Sequence, residues 1–112
     1  MSQITSHILD TTTGIPAQGV NTILYQGEND EWAEMSRAKT NSDGRVTDLL
    51  DEKIKLLQGI YKIRFETKDY FDAHQVQTFY PFVEIIFEIT GGEHYHIPLL
   101  LNPFGYTTYR GS

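Results

Sequence analysis

Four histidines, at positions 7, 74, 94 and 96, are the side chains in this 112-residue sequence that titrate near neutral pH, and no cysteine accompanies them. Two of the four sit in strand-like stretches whose alternation fixes their facing. Ile4, Ser6 and Ile8 alternate with Thr5, His7 and Leu9, so a period of two puts His7 on the face opposite the isoleucines. In the stretch HYHIPLLL, residues 94–101, the set Tyr95, Ile97, Leu99 and Leu101 is the better core face. His96 then projects outward with His94, Pro98 and Leu100. Arg45 follows the turn cluster Asn41-Ser42-Asp43-Gly44, from which a side chain can be aimed out of a sheet. The sequence closes on Tyr109-Arg110-Gly111-Ser112, where an aromatic and threonine pattern continues through residues that in most domains fray.

Several chemistries compete for these residues. A neutral histidine serves as general base near pH 7, and an arginine beside it can hold an anionic or carbonyl-rich substrate. A metal reading starts from His94 and His96, two imidazoles on one face as zinc could use, but Glu93, the nearest further ligand in sequence, falls on the opposite face. The plain reading leaves His7 and His96 as exposed residues with no task, the commoner fate of a lone strand histidine. Serine catalysis fits poorly, because there is no G-x-S-x-G elbow and a terminal Ser112 is a poor platform for a strained nucleophile. If hydrolysis occurs, attack by an activated water is simpler. The outward histidines and arginine converge only if their strands are neighbours or another subunit brings them together.

The elements that must position them are short strands separated by turn residues. Val20 to Gln26, Trp32 to Lys39, Tyr61 to Glu66, Val83 to Ile89, Tyr95 to Leu101 and Tyr106 to Arg110 read as strands, joining the first one around His7. Tyr61, Ile63 and Phe65 form one strand's core face, and Trp32 reads as a packing residue rather than a ligand contact. Pro98 is expected at a sheet edge or a bulge, since it cannot donate to a ladder. Residues Lys68 to Gln77 are expected to make one short helix, with Asp72 and His74 facing solvent, and Leu49 to Leu57 is a second helical candidate. No repeat or linker divides the chain. Residues 1–112 are expected to form a single all-β sandwich, mostly antiparallel.

Composition narrows the partners. A net charge of -6 argues against nucleic acid or an anionic membrane, which need a basic footprint. No apolar run approaches the roughly 20 residues of a membrane helix. The start MSQITSHILD shows no basic then apolar secretory pattern, and the absence of cysteine fits the cytoplasm, with the periplasm left open.

Three segments carry a resemblance: SHILDTTTGIPAQGV near the start, TNSDGRV in the middle, and HYHIPLLLNPFGYTTYRGS at the end. Together and in this order they closely resemble the transthyretin-like 5-hydroxyisourate hydrolases, and the terminal YRGS is the most specific of the marks. The resemblance implies a transthyretin-like sandwich of two four-stranded sheets with one short helix, assembled as a homotetramer, a dimer of dimers. It implies hydrolysis of the cyclic amide of 5-hydroxyisourate to 2-oxo-4-hydroxy-4-carboxy-5-ureidoimidazoline in urate degradation, with no metal and no organic cofactor. The family's catalytic positions fall on His7, Arg45 and His96, and its C-terminal tetrapeptide falls on Tyr109, Arg110, Gly111 and Ser112. Ile8, Ile97 and Asn102 depart mildly from the usual residues and affect packing or a turn.

On this expectation one histidine takes a proton from water while the other positions the water or protonates the departing nitrogen. Which does which is not legible in the sequence. Arg45 steadies the negative charge of the tetrahedral intermediate, and Arg110 either shares that task or fixes the terminus. His94 receives no role and is expected at the surface or a channel rim. The alternative is a small-ligand carrier of the transthyretin type, but the carrier has a lysine and a glutamate where this chain has His7 and Arg45, and it lacks YRGS.

Overall fold

A computed structural model describes residues 2–112. In chain order its elements are β1 (Ile4–Asp10), β2 (Ile15–Pro16), β3 (Asn21–Glu28), β4 (Glu31–Lys39), β5 (Arg45–Val46), β6 (Gly59–Phe65), α1 (Thr67–Ala73), β7 (Val83–Ile89), β8 (Tyr95–Asn102) and β9 (Gly105–Thr108). The strands form two sheets. One runs β2-β1-β8-β9 and the other β4-β3-β6-β7. The first also holds β5, which shares an edge of β1 with β2: β2 pairs with Leu9 and Asp10, and β5 pairs with Ser6 and His7. Two sheets of four and five strands with one helix is the expected sandwich, widened by a two-residue strand. Every pairing is antiparallel except β1 with β8.

Alternation decides what each strand buries. Ile4 and Ile8 of β1, Leu24 of β3, Ile63 and Phe65 of β6 and Leu99 of β8 have no accessible surface, and together they form the layer between the sheets. Each such side chain contributes about 1.5–3 kcal/mol by leaving water. The expected core faces of β6 and β8 are those observed. The helix caps one end by burying Tyr70 and Phe71, and the Tyr70 hydroxyl donates to the carboxylate of buried Asp10 at 2.9 Å. Burial, then that bond, pushes the Tyr70 phenol up to about 12.

Three local expectations are corrected. The helix ends at Ala73 rather than near Gln77, because Gln75 takes a positive φ of 59° and the Val76 N–H turns back onto the Phe71 carbonyl. Residues Leu49 to Leu57 form no helix. Leu49, Leu50 and Leu56 are buried as separate anchors, and distant side chains satisfy the backbone: Leu50 N–H donates to Ser2 Oγ at 3.1 Å and Leu56 N–H to Gln3 Oε1 at 2.7 Å. Pro98 lies in an interior strand, between β1 and β9, not at an edge. Leu99 pairs with Thr108, and the bridge of His96 to Gly111 keeps the same register, which sets Tyr109 opposite Pro98. The proline's missing N–H interrupts the ladder there, so β9 stops at Thr108 and pairing resumes at Gly111. Among the described residues no helix is long and apolar enough to cross a membrane.

Candidate active site

The outer face of the first sheet collects the residues singled out by type. The Asn41–Gly44 turn delivers Arg45: Asn41 Oδ1 accepts from the backbone N–H of Asp43 at 2.9 Å and of Arg45 at 3.0 Å. Gly44 presses against β1 with φ of 73°, and a Cβ there would stand 2.5 Å from the Ile8 carbonyl oxygen. Only glycine fits that approach. The turn thereby docks β5 on β1 with Arg45 directly opposite His7, and such opposed residues have Cβ atoms about 4.5–5.5 Å apart.

On the other side of β1 the parallel pairing sets His7 beside Pro98 and Thr5 beside His96. Side chains at Thr5 and His7 point the same way, as do those at His94, His96 and Pro98. The face therefore carries Arg45, His7 and, diagonally from His7, His96. Convergence needs no second subunit for these three.

His96 is half-buried and tightly held. Its Nδ1 is 2.7 Å from Thr5 Oγ1, the same hydroxyl lies 2.8 Å from His94 Nε2, and the two imidazoles are nearly parallel with centroids 6.3 Å apart. On the ring's other flank sits Gly111, whose N–H donates to the His96 carbonyl at 2.8 Å. A Cβ on Gly111 would come within 2.5 Å of His96 Cδ2, so the glycine makes room for the imidazole. His96 Nε2 has no hydrogen-bond partner among the described residues, nor has the His7 ring, and Arg45 has no ion pair among them. Burial is the main force holding the His96 imidazole below its ordinary pKa; the positive fields of Arg45, His94 and His7 add to it. The neutral form, the one a general base needs, is favoured.

A depression of about 220 Å3 opens over this face, lined by Thr5, Ser6, Arg45, Thr47, His94, His96 and Ser112. His7 stands beside it without lining it. A second hollow of about 250 Å3 opens at the edge between the sheets, where Ile85, Phe87, Tyr95 and Ile97 make it mainly apolar. Arg45, His94 and His96 line the first, and His96 borders the second as well.

The terminal tetrapeptide is divided between the two. Ser112 lines the depression and Gly111 braces His96. Tyr109, exposed, borders the second hollow. Arg110 turns to the other side of the sheet. Its guanidinium lies 4.5 Å from the Tyr95 ring centroid and 3.6 Å from the Glu93 carboxylate. The sequence reading did not single out Thr5 or Thr47. Thr5 shares its strand face with His7, but only the register of β1 on β8 sets its hydroxyl between two imidazoles. Among the described residues no three histidine, aspartate or glutamate side chains converge in a way that could hold a metal ion.

Comparison with known proteins speaks to the family and the fold. The HIUase/Transthyretin family profile matches residues 4–111. A probable 5-hydroxyisourate hydrolase of Schizosaccharomyces pombe is 47% identical, over 97% of this chain and 90% of its own length. The 5-hydroxyisourate hydrolase of Klebsiella pneumoniae superposes with a TM-score of 0.84 at 34% identity, covering 97% of this chain and 98% of the other. Sea bream transthyretin, solved in complex with thyroxine, superposes with a TM-score of 0.91 at 30% identity, covering 98% and 95%. Backbone likeness is thus higher to the transthyretin than to the hydrolase, and the side chains on the outer face must tell them apart. Profile, relatives and fold agree on one conclusion: this chain belongs to the HIUase/Transthyretin family.

Proposed function

We propose that this chain hydrolyses 5-hydroxyisourate to 2-oxo-4-hydroxy-4-carboxy-5-ureidoimidazoline, a step of urate degradation, without metal or organic cofactor. One observation carries the reading: among the described residues, an imidazole nitrogen with no partner, on a histidine whose pKa burial holds down, shares a depression with an arginine that has no counter-ion. Structural histidines and arginines are normally satisfied, and leaving such groups open is a mark of a working site.

The mechanism follows from the atoms available. His96 Nε2 takes a proton from a water molecule as its oxygen attacks the ring carbonyl carbon. The carbonyl oxygen becomes an oxyanion, and the Arg45 guanidinium across the depression offsets its charge. The amide C–N bond then breaks. The nitrogen leaves with a proton from the His7 side, and the former carbonyl becomes a carboxyl group. A positioned base supplies roughly 100- to 10,000-fold of rate.

Ser112 is a substrate-contact residue in this account, while Tyr109, expected to share that role, borders the neighbouring hollow instead. Gly111 acts by leaving space for His96, and Arg110 fixes the terminal segment through Tyr95 and Glu93. A homotetramer, a dimer of dimers, would close the open depression by setting another subunit over it, and the cytoplasm suits a chain with no cysteine. Freshly oxidised urate tests the reading. The ultraviolet absorbance of 5-hydroxyisourate should decay faster with the protein than without it. The likeness to thyroxine-bound transthyretin favours a second reading, a small-ligand carrier, and decay at the spontaneous rate would establish that one instead.

A further inference from the structure

The Thr5 hydroxyl touches two imidazoles but owns one proton. It can donate to one ring nitrogen only, so it must accept from at least one. His94 Nε2 at 2.8 Å and His96 Nδ1 at 2.7 Å are therefore coupled: they cannot both be bare. Two arrangements place the Thr5 proton between the rings, and in a third both rings donate to its two lone pairs, which also puts the His96 hydrogen on Nδ1. In the first, His94 Nε2–H donates to Thr5, Thr5 donates to His96 Nδ1, and the His96 hydrogen sits on Nε2. In the second, His96 Nδ1–H donates to Thr5 and Thr5 donates to His94 Nε2, which leaves the His96 Nε2 lone pair bare.

The surroundings favour the second. His96 and Arg45 line the same depression, and a guanidinium there repels an N–H dipole pointing into it and attracts a lone pair. His94 is exposed, so its remaining nitrogen finds water in either tautomer and the ring adapts at little cost. Thr5 is 5% exposed, and both rings engage its hydroxyl. The backbone ahead of His94 is held as well, since Gln3 Nε2 donates to the carbonyls of Gly91 at 3.3 Å and Glu93 at 3.2 Å.

We propose that Thr5 and His94 are positioning residues that lock His96 in its Nδ1–H tautomer and so keep the Nε2 lone pair aimed into the depression. This rests on the hydrolase reading for its purpose but not for its measurement. The charged and titratable groups around His96 are His94 on its own strand, His7 from β1, Arg45 from β5, and Glu88 and Arg110 across the second hollow.

The test is the ring-nitrogen spectrum of the full-length protein labelled with 15N-histidine, read for His96, beside the rate of hydroxyisourate decay. In the wild type His96 should show a protonated Nδ1 and a bare Nε2. Thr5→Val should give a mixture of tautomers and lower kcat by about 10- to 100-fold with KM little changed, the usual loss when the partner orienting a functional imidazole is removed. Thr5→Ser, which restores the hydroxyl, should recover both the spectrum and the rate. His94→Phe, a change at an exposed position, should also give the mixture and decides the matter if Thr5→Val fails to fold. A wild-type His96 protonated on Nε2, or spectra unmoved by His94→Phe, would overturn the lock. A locked tautomer in a protein that does not speed the decay would sink the hydrolase reading and leave the positioning intact.

Discussion

Both sheets carry basic residues on their outer faces, and the two faces treat them in opposite ways. On the second sheet the cations at the middle of the face, Lys62, Arg64 and Arg37, are matched, and only Lys39 at the exposed end of β4 has no partner among the described residues. Lys62 Nζ lies 3.0 Å from Glu84 and under 5 Å from the Tyr25 and Trp32 ring centroids, at 4.7 and 4.6 Å. Arg64 reaches Glu66 at 2.5 Å and Glu84 at 3.5 Å, over the Phe82 ring at 3.8 Å, and Arg37 meets Glu34 at 2.6 Å. On the first sheet Arg45 has no counter-ion and two imidazoles leave nitrogens open, among the described residues. Matched charges support the fold and are spent on one another. Unmatched charges cost stability and are kept where something else will match them, as at a site.

The largest effect that separates the faces should come from His96→Ala. Loss of the base should cut turnover by roughly 100- to 10,000-fold while the melting temperature stays close to wild type, measured by absorbance decay and calorimetry. Deleting residues 109–112 should abolish activity with little loss of fold, because the strands before Tyr109 keep their pairing; circular dichroism would report the fold. Gly111→Ala tests the same segment more finely. It pushes a methyl into His96 Cδ2 and should lower kcat by about 10- to 100-fold through a tilted imidazole.

The counterpart on the matched face is Glu84→Gln. It leaves Lys62, 7% exposed, without its carboxylate and should cost about 1–2 kcal/mol, discounted because Glu84 itself is partly solvated, with hydrolysis rate unchanged. The smallest effect is a displacement on the pH axis. Burial and then Arg45 hold the His96 imidazole low, so the acid limb of kcat/KM should lie below the ordinary imidazole value of about 6.5. Activity is lost as pH falls through that lowered value, where His96 gains a proton. Arg45→Gln removes a cation that disfavours the proton, so the limb in that variant should move to higher pH.

Facing was legible in the sequence, and long-range pairing was not. The alternation in HYHIPLLL told the core face, and burial at Tyr95, Ile97, Leu99 and Leu101 agrees, while Pro98 on the opposite face is buried too, between β1 and the terminal segment. The turn before Arg45 was readable because Asn41 and Gly44 are local instructions. Residues 49–57 misled because their leucines are anchored one by one, through Ser2 and Gln3 from about fifty residues away. Thr5 was invisible for the same reason, since its place between two histidines exists only in the parallel register of β1 on β8. Arg110 gave no hint of its side from composition. The strand's alternation turns it away from His96, onto Tyr95. Pro98 was read as an edge residue by rule. It sits inside the sheet because the bond it omits falls in the terminal segment, opposite Tyr109.

The direct test of the contrast between the faces is one assay on three proteins: decay of freshly formed 5-hydroxyisourate with the wild type, His96→Ala and Glu84→Gln at equal concentration. The account predicts fast decay with the wild type and Glu84→Gln, and decay near the spontaneous rate with His96→Ala. A His96→Ala protein as fast as the wild type would contradict it.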